Sequence, residues 1–303
     1  MTEVVHAPVM LKEAVDLLNP QKGGIYVDCT LGGGGHAKEI LSRIGETGRL
    51  IAFDKDRHAI ERSQEVLAPY LDQVTIVHRD YRFLAEVLRK LQVPEVDGIL
   101  FDLGVSSYQV LEPERGFSYN YDAPLDMRMD DSSPTTAADL VNTLSEKELG
   151  EIIYRFGEER WARRIASFIV EQRKKAPIKT TGQLTEIIKA AIPAAARRKG
   201  PHPARRTFMA LRIAVNDELS GLEEGLRAGI SFLKPGGRIA VISFHSLEDR
   251  IVKRIFKEYA ASKILRILTK KPLVPSEEEV LVNPRSRSAK LRAAEKDDQS
   301  RVI

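Results

Sequence analysis

Four consecutive glycines, at positions 32–35, sit between an apolar run and a helical one in the segment Asp28-Cys29-Thr30-Leu31-Gly32-Gly33-Gly34-Gly35-His36. Glycine loses more backbone freedom on folding than any other residue. Such a run therefore persists where the chain needs positive φ or a close backbone approach. The preceding residues 24–30, GIYVDCT, read as a short buried strand, and 36–44 place Ile40, Leu41 and Ile44 on one helical face. A glycine turn between a first buried strand and a helix is where a doubly wound sheet receives a nucleotide-like cofactor.

The next segments keep that rhythm. Strands are expected at 49–54 (RLIAFD), 74–78 (VTIVH) and 98–103 (GILFDL), alternating with helices at 57–68 and 82–91. Short apolar strands alternating with helices predict an α/β fold with a mostly parallel, doubly wound sheet. From about 112 to 205 no strand is expected. The turn-rich PERGFSYNYDAPLDMRMDDSSP leads into helices at 136–144, 146–156, 159–174 and 182–192. Ser145 with Glu148 reads as a capping box for the second of these, and Gly157 as its stop. One long helix is expected from Arg206 to about Leu233. A KPGG turn at 234–237, a strand at 238–243, a helix at 247–259 and an antiparallel closing pair at 264–269 and 288–293 follow. The domain expectation is a Rossmann-like class I methyltransferase domain from 1–111 and 206–303, with an inserted all-helical substrate-recognition domain at 112–205.

Composition narrows the classes. With 303 residues, 43% of them hydrophobic, the chain can bury more than one average core. Its 47 basic and 43 acidic side chains leave a charge of +4, compatible with local contact to nucleic acid. The single cysteine, Cys29, excludes a disulfide within the chain and a thiolate metal site. The opening MTEVVHAPVM lacks a signal-peptide pattern, and no apolar run reaches the ~18 residues of a membrane span. A soluble, cytoplasmic protein without membrane contact is expected. The six histidines include no HxxxH or HExxH pair, so no metal is expected, and the acidic run at 126–131 reads as a solvated turn.

Candidate site residues collect at strand ends. Asp54 closes the second strand, where a carboxylate can accept both hydroxyls of a ribose. Gly32-x-Gly34-x-x-Ala37 formally matches the dinucleotide pattern, which would make the chain a nicotinamide-dependent oxidoreductase. An S-adenosylmethionine site uses the same turn, here Gly32, Gly34 and Gly35, with an acid at its start, Asp28, near the cofactor's ammonium group. Asp28 and the closing strand pair favour S-adenosylmethionine. His36 can contact the cofactor or cap its helix. Tyr81, at the third-strand exit, can lie against an adenine ring or pack at a helix start.

At the fourth-strand exit, Asp102 and nearby backbone carbonyls are suited to accept hydrogens of an exocyclic base amine. Holding those hydrogens favours the pyramidal nitrogen that attacks a sulfonium methyl. Ser106, Ser107 and Gln109 follow as groups that orient base or cofactor. After the fifth strand, His245 can stack on a base or handle a proton. Ser246 with Asp249 reads as a cap pair, and Phe244 as core. Arg197, Arg198, Arg205 and Arg206 concentrate positive charge at the exit of the insertion. With the basic helix carrying Arg160, Arg163, Arg164, Arg173, Lys174 and Lys175, and with Arg285 and Arg287, they suit a phosphate-tracking surface. A non-catalytic RNA-binding assembly factor is therefore a third reading.

At these residues the chain closely resembles the RsmH (also called MraW) family. The resemblance runs nearly end to end. It includes His6-Ala7-Pro8-Val9, DCTLGGGGH at 28–36, FDLGVSS at 101–107, ERGFSYNYDAPLDMRMD at 114–130 and Gly157-Glu158-Glu159-Arg160. It continues through HPARRTFMALRIAVNDEL at 202–219, SFHSLEDRIVK at 243–253 and NPRSRSAKLR at 283–292. The resemblance implies a Rossmann-like methyltransferase with a helical insertion that makes N4-methylcytidine in bacterial 16S rRNA, in the decoding region of the small subunit. It also implies cofactor contacts at Gly34, Gly35, His36, Asp54, Tyr81, Asp102 and Gln109. Some relatives carry Phe at the position of Tyr81, which leaves stacking intact. The family lacks the acid-Pro-Pro-aromatic motif of DNA amine methyltransferases, and no prolines follow Asp102 here. The target base must be turned out of its stack to react.

Overall fold

A computed structural model describes residues 8–198 and 200–298, with Ser107 described by its backbone alone. His6, Ala7 and the Ser107 side chain, named above, lie outside the described residues. In chain order the first part runs α1 (Leu11–Leu18), β1 (Ile25–Asp28), α2 (Gly35–Ile44), β2 (Arg49–Asp54), α3 (Arg57–Leu67), β3 (Val74–His78), α4 (Leu84–Lys90) and β4 (Val96–Asp102). An all-helical stretch follows: α5 (Ser107–Leu111), α6 (Ala137–Thr143), α7 (Glu146–Gly157), α8 (Ala162–Arg173), α9 (Thr181–Ala191), α10 (Ala194–Arg197) and α11 (Arg205–Asn216). The chain then continues through α12 (Glu218–Phe232), β5 (Leu233–Ser243), α13 (Ser246–Ala261), β6 (Leu265–Ile267), α14 (Glu277–Val282) and β7 (Lys290–Lys296).

The seven strands form one sheet of order β3-β2-β1-β4-β5-β7-β6. β1 to β5 pair in parallel, and β7 pairs antiparallel with both β5 and β6, as the sequence pattern of a reversed closing pair requires. Alternate residues feed two cores. Val27, Ile51, Phe53, Ile99, Phe101, Ile239 and Val241 belong to one, and Tyr26, Leu50, Ala52, Leu100, Ala240 and Ile242 to the other. Both faces of the sheet are covered, which is why its strands read as continuous apolar runs rather than alternating ones. The order reverses at β1/β4, so the carboxyl ends of β1 and β4 flank the topological switch point, with β2 next to β1.

The described residues divide into an α/β unit, Met1–Gly104 with Leu219–Ile303, and a helical unit, Val105–Glu218. Those limits fall before 112 and after 205 because α5 and α11 group with the helical unit, α11 packing on α6 and α7. The helical unit has its own core, including Met127, Leu149, Ile153, Ile165, Ile169, Leu184, Ile188, Phe208 and Leu211.

Four local expectations are corrected. The single helix expected from 206 to 233 is two helices, broken at Asp217 in the left-handed region with φ 46°. The Asn216 side chain secures that break. It donates to the Met127 carbonyl at 2.8 Å and accepts from the Met129 amide at 2.8 Å. Gly157 is not the stop of α7 but its last residue, with Glu158 the left-handed cap at φ 49°. A Cβ on Gly157 would lie 2.7 Å from the Arg206 carbonyl oxygen, so glycine lets α7 and α11 approach. The KPGG segment is not a turn between elements but lies within β5, where the register against β4 shifts. The 126–131 run is not a solvated turn: Asp126 holds Arg128 by paired hydrogen bonds at 2.9 and 2.8 Å, and Met127 and Met129 are buried between and beside them.

Candidate active site

Three of the four parallel strands β1–β4 end in aspartate, and these three acids define the site in the α/β unit. Asp28 ends β1 and is fully buried. Its Oδ1 accepts from the Thr30 amide at 3.0 Å, while Oδ2 meets no hydrogen-bond partner among the described residues. Burial pushes this carboxyl up to about 7, with Asp54's charge adding to the shift against hydrogen bonds from Thr30. Asp54 ends β2. Its Oδ2 accepts from the Gly32 amide and its Oδ1 from the Asp56 amide, both at 2.8 Å. That carboxyl therefore ties the second strand to the glycine turn. Desolvation still dominates and raises it to about 6.

Asp102 ends β4. Its amide donates to the Thr30 hydroxyl at 2.6 Å, its Oδ1 is buried without a hydrogen-bond partner, and its Oδ2 lies 3.5 Å from Nδ1 of His36. Burial first, then the charges of Asp28 and Glu248, push its carboxyl well above the carboxylate range. His36 is buried in the first turn of α2, with Nε2 3.1 Å from the Val9 carbonyl oxygen. A carbonyl can only accept, so Nε2 carries the hydrogen and Nδ1 faces the Asp102 carboxyl. Thus His36 holds Asp102, a third possibility beside the two expected for it, while Gly34 with φ 80° is the N-terminal cap of α2.

The turn itself is built for close approach. Gly32 and Gly34 have φ of 51° and 80°, and a Cβ on Gly35 would collide with the Pro8 ring at 2.2 Å. Tyr81 sits edge-to-face with Phe101, centroids 5.3 Å apart, and fills the space a Cβ on Gly225 would need. His245 caps α13 instead of the expected Ser246 and Asp249. Its Nδ1 accepts from the Glu248 amide at 3.4 Å, and Glu248 accepts from the amides of Phe244 and His245. Ser246 is the first helical residue, and Asp249 is taken by Arg292 at 2.7 Å. Phe244 packs with the core, as expected.

In the helical unit, Ser106 and Gln109 form a reciprocal capping box on α5: the Ser106 amide donates to the Gln109 side chain at 2.9 Å, and the Gln109 amide to the Ser106 hydroxyl at 3.2 Å. Arg197, Arg198, Arg205 and Arg206 are all exposed. Arg206 donates to the Glu158 carbonyl at 3.1 Å, closing the end of α7. The other three meet no acidic partner among the described residues. Arg173 does not belong to a phosphate-tracking face, because its guanidinium donates to the Val141 and Leu144 carbonyls at the end of α6. Two contributors escaped the sequence reading. Thr30 joins Asp28 to Asp102, and its only signal was its place between an acid and the glycines. Glu248 is buried beneath the His245 cap, and its signal was the spacing of a capping box three residues on.

Two buried, unpartnered carboxylate oxygens beside a glycine cradle call for a positively charged ligand. The sulfonium and ammonium groups of S-adenosylmethionine supply that charge, and Asp54 suits its ribose. A dinucleotide would bring a pyrophosphate's negative charges toward the same acids. The fold and this donor set define a Rossmann-like methyltransferase. The chain belongs to the MraW methylase family, whose pattern it matches over residues 3–297, and S-adenosylmethionine is its cofactor. It is 54% identical to the ribosomal RNA small subunit methyltransferase H of Paenibacillus sp. (strain JDR-2), over 96% of this chain and 99% of that protein. It is 53% identical to the protein of the same name from Brevibacillus brevis, over 96% of this chain and 98% of the other. Among solved structures it is similar to an rRNA methylase from Streptococcus thermophilus, at 11% identity and a TM-score of 0.43, covering 97% of this chain and 99% of that one. Among the described residues no helix is long and apolar enough to cross a membrane.

Proposed function

We propose that this chain transfers a methyl group to the N4 amine of a cytidine in the decoding region of 16S rRNA, in the cytoplasm and on the small ribosomal subunit. The observation that carries the reading is the unpartnered Oδ1 of Asp102, buried at the end of β4 in a chain whose close relatives are named for the small-subunit RNA. S-adenosylmethionine supplies an electrophilic methyl on a positively charged sulfur. The other requirements fall to the protein. A cytosine amine is a weak nucleophile because its lone pair is delocalised into the ring. Asp102 accepts one of its hydrogens and favours the pyramidal nitrogen. As the new C–N bond forms and the C–S bond breaks, the nitrogen loses a proton. In this reading the Asp102 carboxylate, kept ionised beside the cofactor's positive charge and held by His36 and Thr30, takes that proton.

Asp28 offsets the cofactor's positive charge, Asp54 holds its ribose, Gly32, Gly34 and Gly35 bring backbone against it, and Tyr81 lies beside its base. His245 keeps its capping role, and its part toward the base rests on its place after β5. Ser106 and Ser107 orient the base or the cofactor by their place after β4, and the cofactor role of Gln109 rests on the resemblance. Arg197, Arg198, Arg205 and Arg206 take RNA phosphates. Purified protein, labelled S-adenosylmethionine and small subunits from a strain lacking the enzyme test the reading. Labelled N4-methylcytidine in the digested RNA is expected, and unlabelled subunits would overturn it.

A further inference from the structure

Within the helical unit, Tyr119 and His202 are stacked with ring centroids 4.5 Å apart and planes within 1°. On its other side Tyr119 meets Phe208 edge-to-face at 5.6 Å, and Phe208 is buried in the helical core. The rings thus form a column that begins in the core and ends on His202. Tyr119 and His202 are both partly exposed. Neither the Tyr119 hydroxyl nor the His202 Nε2 meets a hydrogen-bond partner among the described residues. The imidazole is fixed in place because Nδ1 accepts from the Ala204 amide at 3.2 Å, which leaves Nε2 as the N–H. Desolvation, with the nearby charge of Lys189 and against that of Glu186, lowers its pKa, so the ring is neutral near pH 7. The surroundings are cationic. The His202 carbonyl accepts from the Arg205 amide at 3.0 Å, at the start of α11, and Arg197 and Arg198 precede it on and after α10.

We propose that the Tyr119–His202 column is a nucleobase platform: an unpaired base of single-stranded RNA stacks on His202 as the next layer, and Arg205 holds an adjoining phosphate. A flat, fixed, neutral ring with unpaired cations beside it is the combination that binds single-stranded nucleic acid with little sequence preference. The proposal rests on the reading that the substrate is RNA, and it names a base contact that the arginines alone do not supply.

His202→Asn keeps an acceptor for the Ala204 amide but removes the ring, while His202→Phe keeps a ring and removes the acceptor. Fluorescence anisotropy is measured with a labelled oligocytidylate of about ten nucleotides and with an abasic strand of equal length. The unaltered protein is expected to prefer the base-bearing strand by about tenfold, the scale of one stacked base. His202→Asn should bring that ratio near one, His202→Phe should retain it, and Arg205→Ala should weaken both strands alike. A ratio unchanged in His202→Asn, or lost in His202→Phe and kept in His202→Asn, overturns the platform. Subunits methylated by a protein that shows no base preference sink the platform alone. A preserved preference with no N4-methylcytidine sinks the assigned reaction and leaves the platform standing.

Discussion

In the α/β unit the candidate-site charges are anionic and buried: Asp28, Asp54 and Asp102 carry raised pKa values, and two of their oxygens lack hydrogen-bond partners among the described residues. In the helical unit they are cationic and exposed, with Arg197, Arg198 and Arg205 free of acidic partners among the described residues. The contrast is one of solvation. A buried unpaired carboxylate costs several kcal/mol until a cation arrives. An exposed arginine costs the fold little and gains when a phosphate displaces salt ions. Under the proposed function, the first arrangement serves a small cationic ligand and the second a polyanion.

The largest test of this contrast is Asp102→Ala, which should slow methyl transfer to small subunits by roughly 100- to 1000-fold, the loss typical of one preorganised group at a reacting centre. Near-normal incorporation of labelled methyl would move the chemistry away from β4. Next, Asp54→Ala should weaken S-adenosylmethionine by about 1–3 kcal/mol in calorimetry, the worth of charge-assisted hydrogen bonds. Unchanged affinity would remove Asp54 from the site.

A third test is pH. Burial raises Asp28 to about 7 in the free protein, and a cation favours its ionised form. Binding should therefore release protons, and affinity should fall about tenfold between pH 8 and pH 6. The same shift has a sign for stability. Between the ordinary value of 3.8 and about 7 the folded state holds more protons than the unfolded one, so this acid's contribution is lost as pH rises through that window. Asp28→Asn should raise the melting temperature of the free protein at pH 8 and flatten the pH dependence of cofactor affinity. A lowered melting temperature or an unflattened profile would contradict the burial argument. The smallest effect belongs to the exposed side. Arg205→Ala should reduce the salt dependence of RNA binding by about one counterion and leave cofactor affinity alone. A salt slope equal to that of the unaltered protein would exclude a phosphate contact there.

Much of the α/β unit was legible because strand period, glycine turn and acid positions are local signals. Asp28, Asp54 and Asp102 were placed at strand ends from runs of six or seven residues, and the strands are there. The helical unit was legible in its capping boxes: Ser145 with Glu148 is as expected. The 114–130 segment was not, because Met127 and Met129 look like loop residues until Asn216, far along the chain, satisfies their backbone. His245 drew a functional reading from its position, yet its nearest work is to cap α13, a role usually left to Ser, Thr, Asp or Asn.

What the sequence by itself determined is the order of strands and helices, the glycine turn between β1 and α2, and the family, since each follows from residues adjacent in the chain. Only the tertiary structure decided that Thr30 joins Asp28 to Asp102, that His36 faces Asp102, that Gly157 admits a neighbouring helix, and that Tyr119 stacks on His202. Those contacts cross tens of residues, and the charge and exposure of each group depend on which neighbours have displaced its water.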